Sequence, residues 1–346
     1  MDFQDARRLL VKTRPRLKNI LDKALAHEPL SRQQAAWLLN EVDPLSPKMY
    51  ALMGAANQLT RDGSGNRGEV HAQVGVNLAP CPHNCGFCSF ASQAGVFKER
   101  HDMGAEEAAA RARRFVADGA NVIYLMTTGN CDFDGFIEVA EAVRVSIPAD
   151  IPMVANVDDL GPERARQLVK AGFQGAYHAI RMGEGRDTRI PPARRLATMQ
   201  AIVQAGLRLA YCVEPIGPEH TVEEIVEKIF IGREYGVWFS GAMRRTPVPG
   251  TALASRGTIS ELELAKIVAV VRLVMGDSAR ANCTHEPNLP GLLAGANLIW
   301  AESGSNPRDS QEETTKGRGL TAAQCGQLLR DVGYEVQGGP PASLGR

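Results

Sequence analysis

From about residue 72 to residue 303, short apolar runs alternate with longer amphipathic ones. Residues 74–78, 121–126, 152–156, 175–180, 207–213, 237–243 and 279–283, with a last run ending near Glu302, read as strands. Between them, residues 105–117, 136–145, 163–171, 193–205, 221–235 and 260–275 carry helical spacing. Gly172, Gly206 and Gly236 follow three of these helices as stops, and Ser260 with Glu263 marks the start of the last. Eight strands separated by helices over roughly 230 residues predict an α/β fold, a (β/α)8 TIM-type barrel. No G-x-G-x-x-G opens a helix after the first strand, which argues against a doubly wound dinucleotide-binding sheet. In such a barrel the active site lies at the C-terminal ends of the strands.

The flanks differ from this pattern. Residues 1–68 read as an N-terminal helical cap, with Leu9, Leu10, Leu17, Ile20, Leu21 and Leu25 at helical spacing. Ser31 with Gln34 resembles a capping box, and residues 61–68 form a turn-rich connector. Residues 69–303 are the barrel. Residues 304–346 are expected to close its mouth: a polar loop through Asn306-Pro307-Arg308-Asp309 and Glu312–Lys316 acting as a lid, a helix over 319–335, and a mobile tail around Gly338–Pro341.

Charge narrows the partners. Lys+Arg 39 balances Asp+Glu 39, so a nucleic-acid-binding surface is not expected. No apolar run approaches a membrane span, and the charged N-terminus lacks an apolar signal core, so the expected location is the cytoplasm. Seven cysteines in that setting favour metal or thiol chemistry over disulfides.

Three of the seven fall within eight positions, Cys81, Cys85 and Cys88, spaced C-x3-C-x2-C directly after the first strand. Three thiolates on one short loop can hold three corners of a 4Fe–4S cluster, leaving one iron open to an exogenous ligand. The rival is structural zinc, with His83 inside the triplet, but no second CxxC pair completes such a site. The loop falls on the catalytic face that the strand pattern independently predicts.

The triplet resembles the cluster loop of the radical S-adenosylmethionine (SAM) enzymes, with Phe87 matching the aromatic near the adenine. The resemblance implies a 4Fe–4S cluster chelated by SAM, whose reductive cleavage yields a 5′-deoxyadenosyl radical that abstracts hydrogen from an unactivated carbon. Over about residues 30–335 the chain is similar to biotin synthase and its relatives, on Gln167–Phe173, Pro249–Leu253 and Leu293–Asn297. Thr127, Thr128 and Gly129, with Asn130, replace the family's G-G-E and would receive the SAM ammonium.

The departures are informative. At the end of strand four, where biotin synthase has an Asn and an Asp, this chain has Ala179 and Arg181, followed by Glu184. An arginine there resembles the hydrogenase-maturase and methylornithine-synthase branch, where it is implied to meet the SAM carboxylate; a planar guanidinium fork suits that task. Of the residues that hold biotin synthase's second cluster, Cys212 and Arg280 match, whereas Leu125 or Met126, and Val154, cannot ligate iron. Cys131, Cys212 and Cys283 follow or end strands two, five and seven; either they converge on an auxiliary cluster or they are buried and inert.

Other candidates are His178 on strand four, a core histidine or a SAM-site residue, and Arg244 and Arg245 at the end of strand six. An inward-facing arginine needs an anion. Arg245, Arg280 and Glu214 are therefore the substrate candidates, unless Glu214 and Glu286 pair with the arginines. The leading expectation is sulfur insertion into an aliphatic C–H bond in cofactor biosynthesis. Its rivals are radical rearrangement or fragmentation without a second cluster, and a non-catalytic iron–sulfur redox or scaffold protein. Expected partners are a small-molecule substrate with an anionic group, a flavodoxin- or ferredoxin-type electron donor and, as an open option, a second copy in a homodimer.

Overall fold

The computed structural model describes residues 15–344; Leu9 and Leu10 of the expected N-terminal helix lie outside them. Eight barrel strands follow in order: β1 (Arg67–Gly75), β2 (Val122–Met126), β3 (Met153–Asn156), β4 (Gly175–Tyr177), β5 (Arg208–Ala210, resuming as Val213–Ile216), β6 (Phe239–Arg244), β7 (Ala281–Thr284) and β8 (Leu298–Gly304). All neighbours pair parallel, and β1 lies between β8 and β2, with Val74 opposite Ser303 and Leu125. The two halves of β5 close the ring. Arg208–Ala210 pairs with β4, Val213–Ile216 with β6, and Trp238 N–H donates to Leu209 O at 2.8 Å. The predicted (β/α)8 barrel is therefore closed.

The helices are α1 (15–25), α2 (Arg32–Glu41), α3 (Pro47–Ser64), α4 (Ala105–Ala117), α5 (Phe133–Ser146), α6 (Pro162–Lys170), α7 (Pro192–Gln204), α8 (Val222–Glu234), α9 (Glu261–Met275), α10 (Leu289–Leu293) and α11 (Ala322–Asp331). Helices α4 to α11 follow the strands one by one. The Ser31–Gln34 capping box forms as the sequence predicts, and Ser260 accepts from Glu263 N–H. Helices α2 and α3 do not lie over the mouth; they pack along the outer helical layer on α8, α9 and α10. Thr60 Oγ1 donates to Gly295 O at 2.7 Å, and buried Arg272 reaches Leu59 O at 3.1 Å.

Alternation along each strand sorts outer from inner residues. Ile123, Leu125, Met153 and Ala155 face the helices. Val122, Tyr124, Val154, Cys212, Cys283 and Trp300 fill the barrel interior. Of Leu125 and Met126, the two offered for the inner face of strand two, Leu125 faces the helices and Met126 lines the mouth, with Tyr124 filling the interior below.

The C-terminal segment differs most from expectation. The helix stops at Asp331, and Glu335–Val336 pairs beside Arg67 and Gly68 at the start of β1. The tail then runs under the N-terminal end of the barrel rather than over its mouth. Asn121 Nδ2 donates to Gln337 O and Gly339 O, both at 2.8 Å. Ser343 donates through its N–H and Oγ to Glu69, both at 2.7 Å, and accepts from Trp238 Nε1 at 2.9 Å. Glu69 also meets buried His71 at 3.2 Å, so the tail satisfies a polar group that the strand pattern forces inward. The tail is thus docked, not mobile, because a buried carboxylate without donors is costly.

At the other end, ion pairs fasten the loops that follow the strands. Glu302 is buried between Arg308 and Arg318; burial opposes its charge, but the two guanidiniums hold its carboxyl well below the usual range. Asp159 is held low in the same way by His178, Arg195 and Arg194, against burial. Burial raises the Glu219 carboxyl as well, yet Arg245 brings it to about 2.

Two outcomes follow. Ser343→Ala strands the Trp238 indole N–H and leaves Glu69 Oε2 with His71 alone, and should cost about 1–3 kcal/mol in urea unfolding. Carboxyls held low stabilise the fold fully above their unfolded value near ~4 and lose that contribution as pH falls through the folded value. Circular dichroism should therefore show acid unfolding beginning below about pH 4, with Arg245→Met moving the onset upward.

Candidate functional site

Strand β1 ends where Gly75 meets the chain after β8; a Cβ on Gly75 would lie 1.9 Å from Ser305 O. Asn77–Leu78 then pairs antiparallel with His101–Asp102, and the cysteine loop hangs between these two short strands. Within the loop, Cys81 N–H donates to Phe90 O at 2.6 Å, Ser92 N–H to Cys81 O at 3.0 Å and Cys88 N–H to Cys85 O at 3.0 Å. Asn84 takes the left-handed conformation at φ 50°, and its Oδ1 accepts from Ser92 Oγ and Gln93 N–H, both at 2.9 Å. Three other loops clamp the outside. Gly86 N–H donates to Asp187 O at 2.8 Å, Leu253 N–H to Gly86 O at 2.8 Å, and Ser89 N–H to Pro307 O at 2.9 Å.

This arrangement turns Cys81, Cys85 and Cys88 into one open cavity at the C-terminal ends of the strands. None of the three is in a disulfide. Burial pushes the Cys85 thiol up to about 12, and the Cys81 and Cys88 thiols up as well. A buried thiolate needs a cation beside it, and iron supplies that charge, so three unpaired thiols on one cavity wall fit a 4Fe–4S cluster. His83 is turned from them: its Nε2 lies 2.7 Å from the Asp158 carboxylate. A Cβ on Gly129 would lie 2.5 Å from the His83 ring and 3.1 Å from Cys81 Sγ, so only glycine lets β2's loop approach this closely.

Phe87, Thr127, Thr128 and Gly129 line the same cavity. Thr128 donates both its N–H, at 3.0 Å, and its hydroxyl to Asn77 Oδ1, so its hydroxyl proton is committed inside the protein. Across the cavity Arg181 ion-pairs with Glu214 and lies 5.5 Å over the Tyr177 ring. The other Glu214 oxygen, Oε2, and the Nδ1 of His285 are buried without hydrogen-bond partners. Both residues line the cavity, and these two atoms face each other at 3.9 Å.

Several predicted site residues lie elsewhere. His178 follows Tyr177, so alternation sends it outward, where Nε2 meets Asp159 at 3.0 Å. Glu184 is fully buried behind the wall; it accepts from Arg181 N–H at 3.0 Å and Arg195 Nε at 3.1 Å. Arg245 reaches the cavity, but its charge is already met by Glu219 and by Gly257 O. Arg244 pairs with Glu286 at 2.6 Å, as one sequence alternative held. Arg280 precedes β7 and is exposed, because the strand begins two residues later than its apolar run suggested, at Ala281. The structure brings Cys212 and Cys283 together, with sulfurs 2.9 Å apart, but not Cys131. Cys131 packs against the outer helical layer beside the Asp132 carbonyl.

Five residues not singled out beforehand, Gln73, Asn156, Arg195, Met243 and His285, complete the wall together with Asn306-Pro307-Arg308, expected as a lid. Gln73 and Asn156 pair at 2.9 Å, and Arg195 bridges Glu184 and Asp159 from the start of α7. Met243 and His285 face inward at the ends of β6 and β7. Asn306, Pro307 and Arg308 form the wall itself rather than a lid: Asn306 donates to Glu302 at 2.8 Å, and Arg308 pairs with the same carboxylate. Gln73, a polar residue in an apolar strand, was the one readable signal among them.

No family model matches the chain. The biotin synthase of Desulforudis audaxviator (strain MP104C) is 26% identical over 337 residues, covering 92% of this chain and 97% of that protein. That of Heliobacterium modesticaldum (strain ATCC 51547 / Ice1) is 24% identical over 302 residues, covering 83% and 89%. Among solved structures, methylornithine synthase superposes with a TM-score of 0.77 at 17% identity, covering 92% of this chain and 97% of that one. The FeFe-hydrogenase maturase HydG from Carboxydothermus hydrogenoformans gives 0.76 at 16%, covering 97% and 82%. These two share the fold. Near-complete likeness to biotin synthases thus joins a thiol triplet at the mouth of a closed barrel, the two features that the radical SAM, biotin synthase-like resemblance leads one to expect.

Proposed function

We propose that this radical SAM enzyme rearranges or fragments a small polar substrate, without a second iron–sulfur cluster. The carrying observation is the barrel interior. A sulfur-donating cluster needs several ligands there, and the inward positions are Val122, Tyr124 and Val154 together with two cysteines already in contact. His71, Trp238, Phe239 and Trp300 pack around them, leaving apolar and aromatic surface where ligands would stand. Sulfur insertion is the second reading, favoured by the likeness to biotin synthases along nearly their whole length.

In this reading Cys81, Cys85 and Cys88 hold the cluster. Together the cluster and SAM supply a carbon-centred radical able to take hydrogen from an unactivated carbon. The protein does the positioning. The wall at Phe87 and Thr127–Gly129 shapes the adenosyl side, with Gly129 admitting close approach. Arg181 offers donors to a carboxylate, and Glu214 Oε2 accepts from an ammonium, so the pair matches both ends of an amino-acid group. Glu184 and Arg195 fix Arg181's loop from behind. A flavodoxin- or ferredoxin-type protein delivers the electron.

Iron and sulfide content after anaerobic reconstitution tests this. Wild type should hold about four of each per chain. A Cys81→Ala, Cys85→Ala, Cys88→Ala variant should hold none and form no 5′-deoxyadenosine with dithionite. A cluster retained by the variant transfers support to sulfur insertion, and a colourless zinc protein ends both readings. Gly129→Ala should leave the fold intact by circular dichroism and slow 5′-deoxyadenosine formation by up to about 100-fold, the scale set by a misplacement near 1 Å.

A further inference from the structure

Cys212 and Cys283 sit on β5 and β7, which are not neighbours; β6 runs between them. They meet because β6 has Gly241 there, paired in register with Cys283. A Cβ on Gly241 would lie 2.4 Å from Cys283 Sγ. The β5 ladder also breaks at Tyr211 and Cys212. The two sulfurs are 2.9 Å apart and fully buried, one layer beneath the cavity floor. That floor is made in part by Tyr177 and His285, which both line the cavity; Tyr177 packs in the same buried cluster as Cys212 and Cys283, and its ring centroid is 6.4 Å from that of His285.

Burial alone would raise both thiols. The hydrogen bond with Cys283 and the neighbouring His285 and Tyr177 side chains more than offset this at Cys212, whereas Cys283 stays well above its ordinary value beside it. At 2.9 Å the two sulfurs share a hydrogen bond, the contact that a thiolate makes with a thiol. An inert core pair has no need of a tyrosine and a histidine that connect it to the reaction chamber.

We propose that Tyr177 and the Cys212–Cys283 pair form a hydrogen-atom delivery chain to the cavity. The proposal rests on the radical reading above. A carbon radical in the cavity takes hydrogen from the Tyr177 O–H, forming a C–H bond and a tyrosyl radical. The tyrosyl takes one electron from the Cys212 thiolate and the proton from Cys283, restoring the phenol. The two sulfurs then share a one-electron-deficient bond as a disulfide radical anion. One electron passes to a ferredoxin- or flavodoxin-class carrier and leaves a neutral disulfide. A dithiol reductant returns the pair to its starting state by exchange. Two electrons and one proton leave the monoanionic pair: one electron with the proton as the hydrogen atom, the other to the carrier.

Hydrogen delivered this way comes from exchangeable O–H and S–H groups, so it carries the solvent's isotope. SAM alone serves as the probe. In D2O with dithionite and no substrate, the 5′-deoxyadenosine formed by wild type should carry one deuterium, read by mass spectrometry. Scored per molecule formed, that label should be lost in Tyr177→Phe, however slowly it turns over, whereas Cys212→Ser should keep the label and accumulate a tyrosyl radical seen by electron paramagnetic resonance; no tyrosyl signal in Cys212→Ser overturns the chain. Separately, the apoprotein exposed to oxidised dithiothreitol should form a Cys212–Cys283 disulfide, detected by differential alkylation and peptide mapping, and reduced dithiothreitol should reverse it. Unlabelled 5′-deoxyadenosine from wild type, or a pair that never closes in the apoprotein, overturns the delivery chain and leaves the radical reading standing. A chain that makes no 5′-deoxyadenosine overturns both.

Discussion

The site depends on three backbone hydrogen bonds that clamp a short loop from outside. Gly86 is gripped on both sides, by Asp187 O and by Leu253 N–H, and Ser89 N–H is held by Pro307 O. The partners come from the loops after β4, β6 and β8, so the cysteine loop is fixed only once the ring has closed. A loop carrying three thiols would otherwise pay the full entropy of ordering itself. Those clamping loops are in turn held by buried ion pairs, Arg195 with Glu184 and Asp159, and Arg308 and Arg318 with Glu302. Cavity shape and fold stability thus share the same charges.

Below the mouth the interior changes character. Its inward residues are aromatic or sulfur-bearing through Tyr124, Trp238, Phe239, Trp300, Cys212 and Cys283, and polar again at Glu69 and His71. The docked tail makes the lower polar layer affordable, because Ser343 satisfies Glu69 and Trp238 together. The two layers touch at one polar contact, His71 Nδ1 to the Tyr124 hydroxyl at 3.1 Å.

The barrel and the thiol triplet were legible because both are local signals: alternating periods along the chain, and spacing within eight residues. Parity failures explain most of the rest. Of the pair offered on strand two, Leu125 faces the helices and Met126 the cavity, and His178 takes its core alternative rather than its SAM-site one, because an apolar run does not mark which residue begins the strand. Beginning β7 at Ala279 rather than Ala281 brought Arg280 into a site from which it is excluded. The docking of the tail was not readable, since Gly338–Pro341 looks like a linker and its partners, Asn121 and Glu69, lie more than 200 residues earlier. Pairings such as Arg245 with Glu219 depend on loop geometry that composition does not encode.

The same distinction bears on charge at the mouth. An inward arginine on a strand suggests a substrate anion only when no internal carboxylate meets it. Arg245 is hydrogen-bonded through both of its terminal nitrogens to Glu219 and carbonyl oxygens, and freeing it would strand a buried charge. Arg181 differs. Its partner Glu214 has a second oxygen without a donor, and the guanidinium is the more exposed of the two. A ligand bearing both a carboxylate and an ammonium can replace each half of that pair with an equivalent interaction, so neither charge is stranded. Among the two arginines, Arg181 is therefore the one that can exchange an internal partner for an external one at small cost.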